Sequence, residues 1–281
     1  MEKRGSRAGR TRRTCPTGLT ALLLLFALLI PLPASAARIL ALAPHVCEML
    51  YAIGAGDRIV GAVDYCDYPA AANKLPRIGS YERINVEAAL RLKPDLAIVM
   101  SRSVIGIGQL ERAGVKVVVS NPIGFAAIFA DIERLGVLTG HKVEAERLIG
   151  QQQARLAALH PQSGSAIPVY YEVWHEPLLT CGGGSFLSEL IRLAGGRNVF
   201  SDVNLETARV SVEAVARARP AVVAIPAEKR DIAARQKFWR QWLGPKVRFV
   251  TVNPDLLHRP GPRLLDGLEQ LQKALASGRN Q

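Results

Sequence analysis

A chain of 281 residues, 49% of them apolar, has enough core-forming side chains for one large domain or two ordinary ones, and this excludes disorder for its bulk. The formal net charge of +12 is concentrated at the start: residues 1–36 carry six Lys/Arg against one Asp/Glu, which leaves 30 against 23, or +7, on residues 37–281. That remainder shows no cluster of Lys/Arg interleaved with aromatics, so it reads as a solvated surface and nucleic-acid binding is not expected.

The first 36 residues combine a basic start (Arg4, Arg7, Arg10, Arg12, Arg13), an apolar run over 19–32 and Ala34-Ser35-Ala36. This is the pattern of a cleavable secretory signal, and its run of about 14 residues falls short of the ~20 needed to span a membrane. Export permits disulfides. Beyond residue 36 the chain keeps Cys47, Cys66 and Cys181, enough for at most one, and their spacing leaves a cross-link or free thiols equally open.

In chain order, 38–42 reads as a short apolar strand, Ala43-Pro44-His45 as a turn and 46–53 as a helix stopped by Gly54. A second strand at 59–63 runs into the aromatic turn Asp64-Tyr65-Cys66-Asp67-Tyr68-Pro69. A strand at 96–100, a helix ending near Ala113 and a β-branched strand at 115–119 complete an alternating pattern, which predicts a parallel α/β sheet. Two helices follow, over 126–138 and 143–159; the second, about 25 Å long at 1.5 Å per residue, suits a stiff strut. A polar linker at 161–165 leads to a second α/β series: a strand at 169–173, the turn Trp174-His175-Glu176-Pro177, a helix at 186–194, a strand at 222–225, a helix at 232–242 and a strand at 247–252. A loop over 253–261 and a helix from Pro262 close the chain.

One stretch occurs twice. Asn85-Val-Glu-Ala-Ala-Leu-Arg-Leu-Lys-Pro94 and Ser211-Val-Glu-Ala-Val-Ala-Arg-Ala-Arg-Pro220 match at an offset of 126, and each runs on into an apolar strand. Each begins with a good N-cap and places a glutamate, Glu87 or Glu213, in the first turn, where the helix dipole favours it. The spacing is too long for a solenoid and predicts two similar lobes. The expected organisation is a signal at 1–36, an N-terminal lobe at 37–140, a connecting helix and linker at 141–162 and a C-terminal lobe at 163–281. The lobes are Rossmann-like, with parallel sheets joined by a long rigid helix and a ligand cleft between them.

Ligands of open parallel sheets gather beyond the carboxyl ends of the strands. The loops there carry His45, Tyr65, Tyr68, Tyr81, Trp174, His175, Asp255, His258 and Arg259. Drawn from both halves, they would line one interlobe cleft. His45, His175 and His258 are candidate metal or axial ligands, although they lack the short-range spacing of a zinc site. Enzyme signatures are weak: Gly182-Gly183-Gly184-Ser185 lacks the lysine of a phosphate loop, there is no G-x-S-x-G elbow, and Glu172 with Glu176 is the one acid–base pair on offer.

Six stretches carry a family resemblance: Leu42-Ala-Pro-His-Val-Cys-Glu-Met-Leu50, Asp64-Tyr-Cys-Asp-Tyr-Pro69, Asn85-Val-Glu through Leu92-Lys-Pro-Asp95, Tyr171-Glu-Val-Trp-His-Glu-Pro177, Gly195-Gly-Arg-Asn-Val-Phe200 and Arg259-Pro-Gly-Pro-Arg263. Nearly end to end beyond residue 36, the chain resembles the periplasmic cobalamin-binding proteins, helical-backbone substrate-binding proteins of ABC importers. The resemblance implies a periplasmic, non-enzymatic, monomeric protein without a resident cofactor, which binds cobalamin and delivers it to an inner-membrane permease and ATPase complex. It implies that Tyr65 and Tyr81 lie against the corrin, that Asp255 and Arg259 are polar ligand contacts, and that Glu87 and Glu213 dock to the permease. A cleft tryptophan of the family is Thr207 here, and the disulfide of its best-known member has no counterpart. Haem, ferric-siderophore and transition-metal binders share this frame and are the rival ligand readings; a periplasmic hydrolase using the same cleft is the rival from another class.

Overall fold

The structure, a computed structural model, describes residues 37–159, 165–227 and 231–277. The signal expected over 1–36 and most of the linker expected over 161–165 lie outside the described residues.

Strands β1 (Ile39–Leu42), β2 (Ile59–Ala62), β3 (Leu96–Val99) and β4 (Lys116–Val119) form a parallel sheet in the order β2-β1-β3-β4. β1 and β3 are buried along their whole length, which is why each reads as an unbroken apolar run. Helices α1 (Pro44–Ala52), α2 (Val86–Arg91) and α3 (Ile107–Arg112) connect them. Helix α1 starts two residues before the expected position, because Pro44 opens it where a proline suits a first turn.

The second sheet contains β5 (Ile167–His175), β6 (Leu178–Cys181), β7 (Gly196–Asn198), β8 (Thr207–Arg209), β9 (Val222–Pro226) and β10 (Arg248–Val252). Its parallel part runs β7-β5-β9-β10, the topology of the first sheet over again. The sequence repeat falls on equivalent central strands, β3 and β9. Each follows a capped helix: Asn85 Oδ1 accepts from Ala88 N at 3.0 Å ahead of β3, and Ser211 Oγ accepts from Ala214 N at 3.2 Å in α7 (Val212–Ala218) ahead of β9.

Antiparallel strands extend this parallel part. β5 continues through Trp174 and His175, and the chain reverses at Glu176-Pro177 into β6, which lies antiparallel to β5 and also to β8. Trp174 pairs with Leu179 and His175 with Leu178, so residues that resemble a turn in composition are held in the strand by apolar partners on β6. Helices α6 (Phe186–Leu193), α8 (Ile232–Leu243) and α10 (Leu264–Ala276) complete the lobe, with a short α9 (Pro254–Leu257) where a loop was expected. Asn253 caps α9, accepting from Asp255 N at 2.9 Å, and Pro254 again opens the first turn.

The two expected helices make the connection between the sheets and pack on each other as a hairpin. It is built from α4 (Gly124–Thr139) and α5 (Lys142–Ala158), with Gly140 in the left-handed region (φ 76°) at the turn. A Cβ on Gly136 would stand 2.5 Å from that of Ala145, so only glycine permits this close crossing. Ile128, Ile132 and Leu135 of α4 share one continuous apolar core with β1, α1 and Leu264, Leu268 and Leu271 of α10. On the solvent side, Arg155 of α5 pairs with Asp266 at 2.7 Å and Glu269 at 3.0 Å on α10. Both lobes therefore rest on the same hairpin.

Candidate functional site

The carboxyl ends of both sheets open onto a cleft of about 1030 Å³. Pro44 follows β1, Tyr65 and Asp67 follow β2, Trp174 and His175 end β5, Ala227 follows β9, and Asn253, Asp255, His258 and Arg259 follow β10. Three aromatic side chains face it with much of their surface in solvent: Tyr65 is 65% exposed, Trp174 42% and Tyr81 40%. Exposed aromatic area of this size is unusual unless something covers it. The Tyr65 backbone is left-handed (φ 64°), a strained conformation for a bulky residue and one that frequently marks a functional position. Trp174 donates through Nε1 to the Glu176 carbonyl at 2.8 Å, and its ring lies 5.5 Å from that of His175.

An ion network crosses the floor of the cleft. Arg259 donates to Asp67 at 2.7 Å and Glu48 at 3.1 Å, both in the first lobe, and to Asp255 at 2.6 Å in its own. Arg263 reaches the same buried Glu48 at 2.5 and 2.9 Å and stacks 3.8 Å over the Tyr68 ring. Burial alone would raise the Asp67 carboxyl, but the hydrogen bond and charge of Arg259 outweigh it and hold the group below the usual carboxylate range. Arg259 is thus an interlobe tie, and whatever it offers a ligand comes from a guanidinium already shared among three carboxylates. Asp67 and Glu48 went unnoticed in the sequence as site residues; their partner is 192 and 211 positions away, and only the stretches around them were recognised.

The structure brings Tyr65, Tyr81, Trp174, His175, Asp255, His258 and Arg259 to this one cleft. His45 lies elsewhere, which corrects its placement among the cleft histidines. Because Pro44 starts the helix, His45 turns inward and is 2% exposed. Its Nε2 donates to the Ser120 carbonyl and to Ser120 Oγ, both at 3.0 Å, and Ser120 Oγ donates on to Asp131, which Arg134 pairs. His258 bonds Tyr171 Oη at 2.9 Å, between the cleft and a smaller pocket of about 230 Å³ lined by Met100, Phe186 and Thr207. Among the described residues, no group of three or more His, Cys, Asp or Glu could hold a metal ion. Nor does Glu172 face the cleft: it is fully buried and bonded to Arg235 and Trp239, which removes it as a catalytic partner for Glu176.

Burial lowers the His45 pKa to about 4, against the raising effects of the Ser120 carbonyl and the Asp131 charge. The unfolded chain takes up a proton near the ordinary value of 6.5, which the native state resists, so this stability is complete above pH 6.5 and lost as pH falls towards 4. The loss reaches roughly 3 kcal/mol. Urea unfolding at pH 7 and 4.5 should show wild type losing about 2–3 kcal/mol more than His45→Gln. Equal losses would show that His45 is not responsible.

Glu87 and Glu213 stand on the exposed first turns of α2 and α7, away from the cleft residues. Glu87 pairs with Arg91 at 2.7 Å one turn on, while the Ser211 side chain and the helix-end backbone hold the Glu213 carboxyl below its ordinary range.

Comparison with known proteins agrees on the family and the fold. Residues 39–238 match the family model described as periplasmic binding protein. The vitamin B12-binding protein of Photorhabdus laumondii is 31% identical over 268 residues, covering 94% of this chain and 97% of that one. The crystal structure of the periplasmic vitamin B12 binding protein BtuF of Vibrio cholerae superimposes with a TM-score of 0.71 at 29% identity, over 88% of this chain and 99% of that one. A periplasmic haem-binding protein from Roseiflexus, RhuT, superimposes with a TM-score of 0.75 at 23% identity, over 86% and 99%, and shares the fold.

Proposed function

The chain belongs to the periplasmic binding protein family, and from that premise we propose that it binds cobalamin in the interlobe cleft and delivers it to an ABC permease and its ATPase. The observation that carries the ligand reading is the cleft itself. At about 1030 Å³ it lies at the upper end of small-molecule sites, and Tyr65, Tyr81 and Trp174 present flat, solvent-exposed faces to it. That geometry suits a large planar macrocycle with polar substituents, the corrin ring among them. The relatives whose names specify vitamin B12 cover nearly the whole chain and weigh in the same direction. In this reading the protein is an exported monomer that needs no resident cofactor and leaves its ligand chemically unchanged.

A second reading, haem, has one observation in its favour: the His175 imidazole stands exposed on the cleft, where it could ligate an iron. Ferric siderophore and free metal are the remaining rival ligands of this cleft. The hydrolase reading loses its acid–base pair with the burial of Glu172.

Binding that buries aromatic faces gains roughly 25 cal/mol per Å² before the costs of association. Tyr81→Ala is therefore expected to weaken ligand binding at least about tenfold, ~1.4 kcal/mol, while the fold stays intact. Calorimetry checks this, and an unchanged affinity would remove Tyr81 from the site.

We further propose that Glu87 and Glu213 are the docking contacts to the permease. Equivalent helices in two lobes of repeated topology present equivalent carboxylates, which matches a transporter built from two copies of a subunit.

A further inference from the structure

Three thiols, Cys47, Cys66 and Cys181, are free and buried in this structure. Two of them meet. Cys47 lies in α1, one residue before the Glu48 that holds Arg259 and Arg263. Cys66 belongs to the loop after β2, between the cleft residues Tyr65 and Asp67. In the run 64–68 Asp64, Tyr65, Asp67 and Tyr68 are exposed and Cys66 alone is buried, so this side chain plugs the loop into the core. It lies over the end of β1, its Sγ donating to the Ala41 carbonyl at 3.8 Å, while Val63 N bonds the same carbonyl at 3.2 Å. The first turn of α1 begins two residues further on, where Cys47 N bonds the Ala43 carbonyl at 3.2 Å. Both side chains are fully buried in one core at this corner, and each acts on the titration of the other, Cys47 pushed up and Cys66 held down.

We propose that Cys47 and Cys66 form a disulfide that bolts the loop carrying Tyr65 and Asp67 to α1, fixing one wall of the cleft. The pair is chemically asymmetric in the way the reaction needs. The neighbouring Cys47 thiol and the positive charges of Arg77 and Arg259 outweigh burial and favour the Cys66 thiolate, while Cys66 beside it and burial keep Cys47 protonated. Arg77 also fastens the loop, donating to the carbonyls of Val63 at 3.0 Å and Cys66 at 2.7 Å. The oxidant is a disulfide, that of a thiol–disulfide oxidoreductase or of oxidised glutathione. Because both thiols are fully buried, exchange proceeds when the loop opens: the Cys66 thiolate attacks one sulfur of it, breaks its S–S bond and releases one thiolate, leaving a mixed disulfide. Cys47 gives its proton to that released thiolate and attacks Cys66 Sγ. The second thiolate leaves and takes a proton from water. Two protein thiols are oxidised and one disulfide is reduced to two thiols. The ring closed spans 20 residues, 47 to 66. The cross-link is independent of which ligand the cleft takes; it draws on the proposed function only for export to an oxidising compartment.

The test compares the purified protein equilibrated in reduced and in oxidised glutathione. Free thiols are alkylated under denaturing conditions and the peptides mapped by mass spectrometry. Beyond residue 36, the oxidised protein should retain one alkylated thiol, on Cys181, and yield the Cys47 and Cys66 peptides linked, two hydrogens lighter than the sum of the free pair. Cys181→Ala should keep the link, and Cys47→Ala and Cys66→Ala should each lose it. Oxidation should raise the thermal midpoint by roughly 5–10 °C. It should also slow hydrogen exchange of the amides over 64–68 about tenfold or more. Alkylation of Cys47, Cys66 and Cys181 alike after oxidation, or a link to Cys181, would overturn the proposal. So would a linked protein whose loop amides exchange as fast as those of the reduced form.

Discussion

Glu87→Ala combined with Glu213→Ala is expected to leave ligand affinity within about twofold and yet to abolish most ligand-dependent uptake, because interfacial charges govern encounter and register. Neither glutamate lines the cleft, so ligand affinity has no direct route by which to change. Stability should also hold: the N-cap bonds of Asn85 and Ser211 remain, and the Glu87–Arg91 pair is a surface contact of small worth. The thermal midpoint should stay within about 3 °C. Two carboxylates, one on each lobe, would meet two cationic partners at once and so set the orientation in which the cleft faces the transporter. Removing both takes away steering and register together. Association with the permease should become weaker and less sensitive to salt over the range in which surface charges are screened. Uptake by cells carrying the double variant, compared with each single one, provides the measurement. Normal uptake by the double variant would reduce both residues to helix-end charges.

The largest stability effect is expected from Glu172→Ala. Glu172 is fully buried at the point where β5 passes from its parallel to its antiparallel partners. It accepts from Arg235 Nη2 at 2.6 Å and Nε at 3.0 Å, and from Trp239 Nε1 at 2.6 Å. Arg235 is anchored by this pair while it lies 4.5 Å over the Phe238 ring, and Trp239 is the largest fully buried side chain of the outer core of this lobe. Alanine would leave a largely buried guanidinium and an indole N–H without this acceptor, together with a void. Breaking a buried pair from one side costs about 3–5 kcal/mol. Glu172→Gln preserves the shape but not the charge and should fall between the two. Urea denaturation orders the three proteins; a loss under about 1 kcal/mol for alanine would mean that water reaches the site and replaces the carboxylate.

How much of this was legible follows from the range of the interactions. The strands β1, β3 and β9 are buried on both faces and announce themselves as unbroken apolar runs. The repeated segment reveals the lobe symmetry because its caps are local, from Asn85 to Ala88 and from Ser211 to Ala214. The β5–β6 hairpin was hidden, since Trp174 and His175 look like turn residues until Leu178 and Leu179 are seen to pair with them. His45 was misplaced for a related reason. Its position after a strand suggests the cleft, but its partner Ser120 lies 75 residues away and draws it inward. The aromatic cleft walls could be anticipated from loop composition. The Glu48–Arg259–Asp67 tie could not, because no local pattern foretells a contact between residues about 200 positions apart.

The measurement that bears most directly on the cleft as a corrinoid site is parallel calorimetric titration of the purified protein with cyanocobalamin, haemin and a ferric siderophore. Cyanocobalamin is expected to bind one to one, to be recovered unchanged, and to bind at least about a hundredfold more tightly than the others, ~2.7 kcal/mol. Its affinity should differ little between pH 7 and 5, because a cobalt that keeps its own axial base asks nothing of a histidine, whereas ligation by His175 or His258 would weaken as the imidazole is protonated. Tighter binding of haemin or siderophore, or conversion of the ligand to product, would contradict the account.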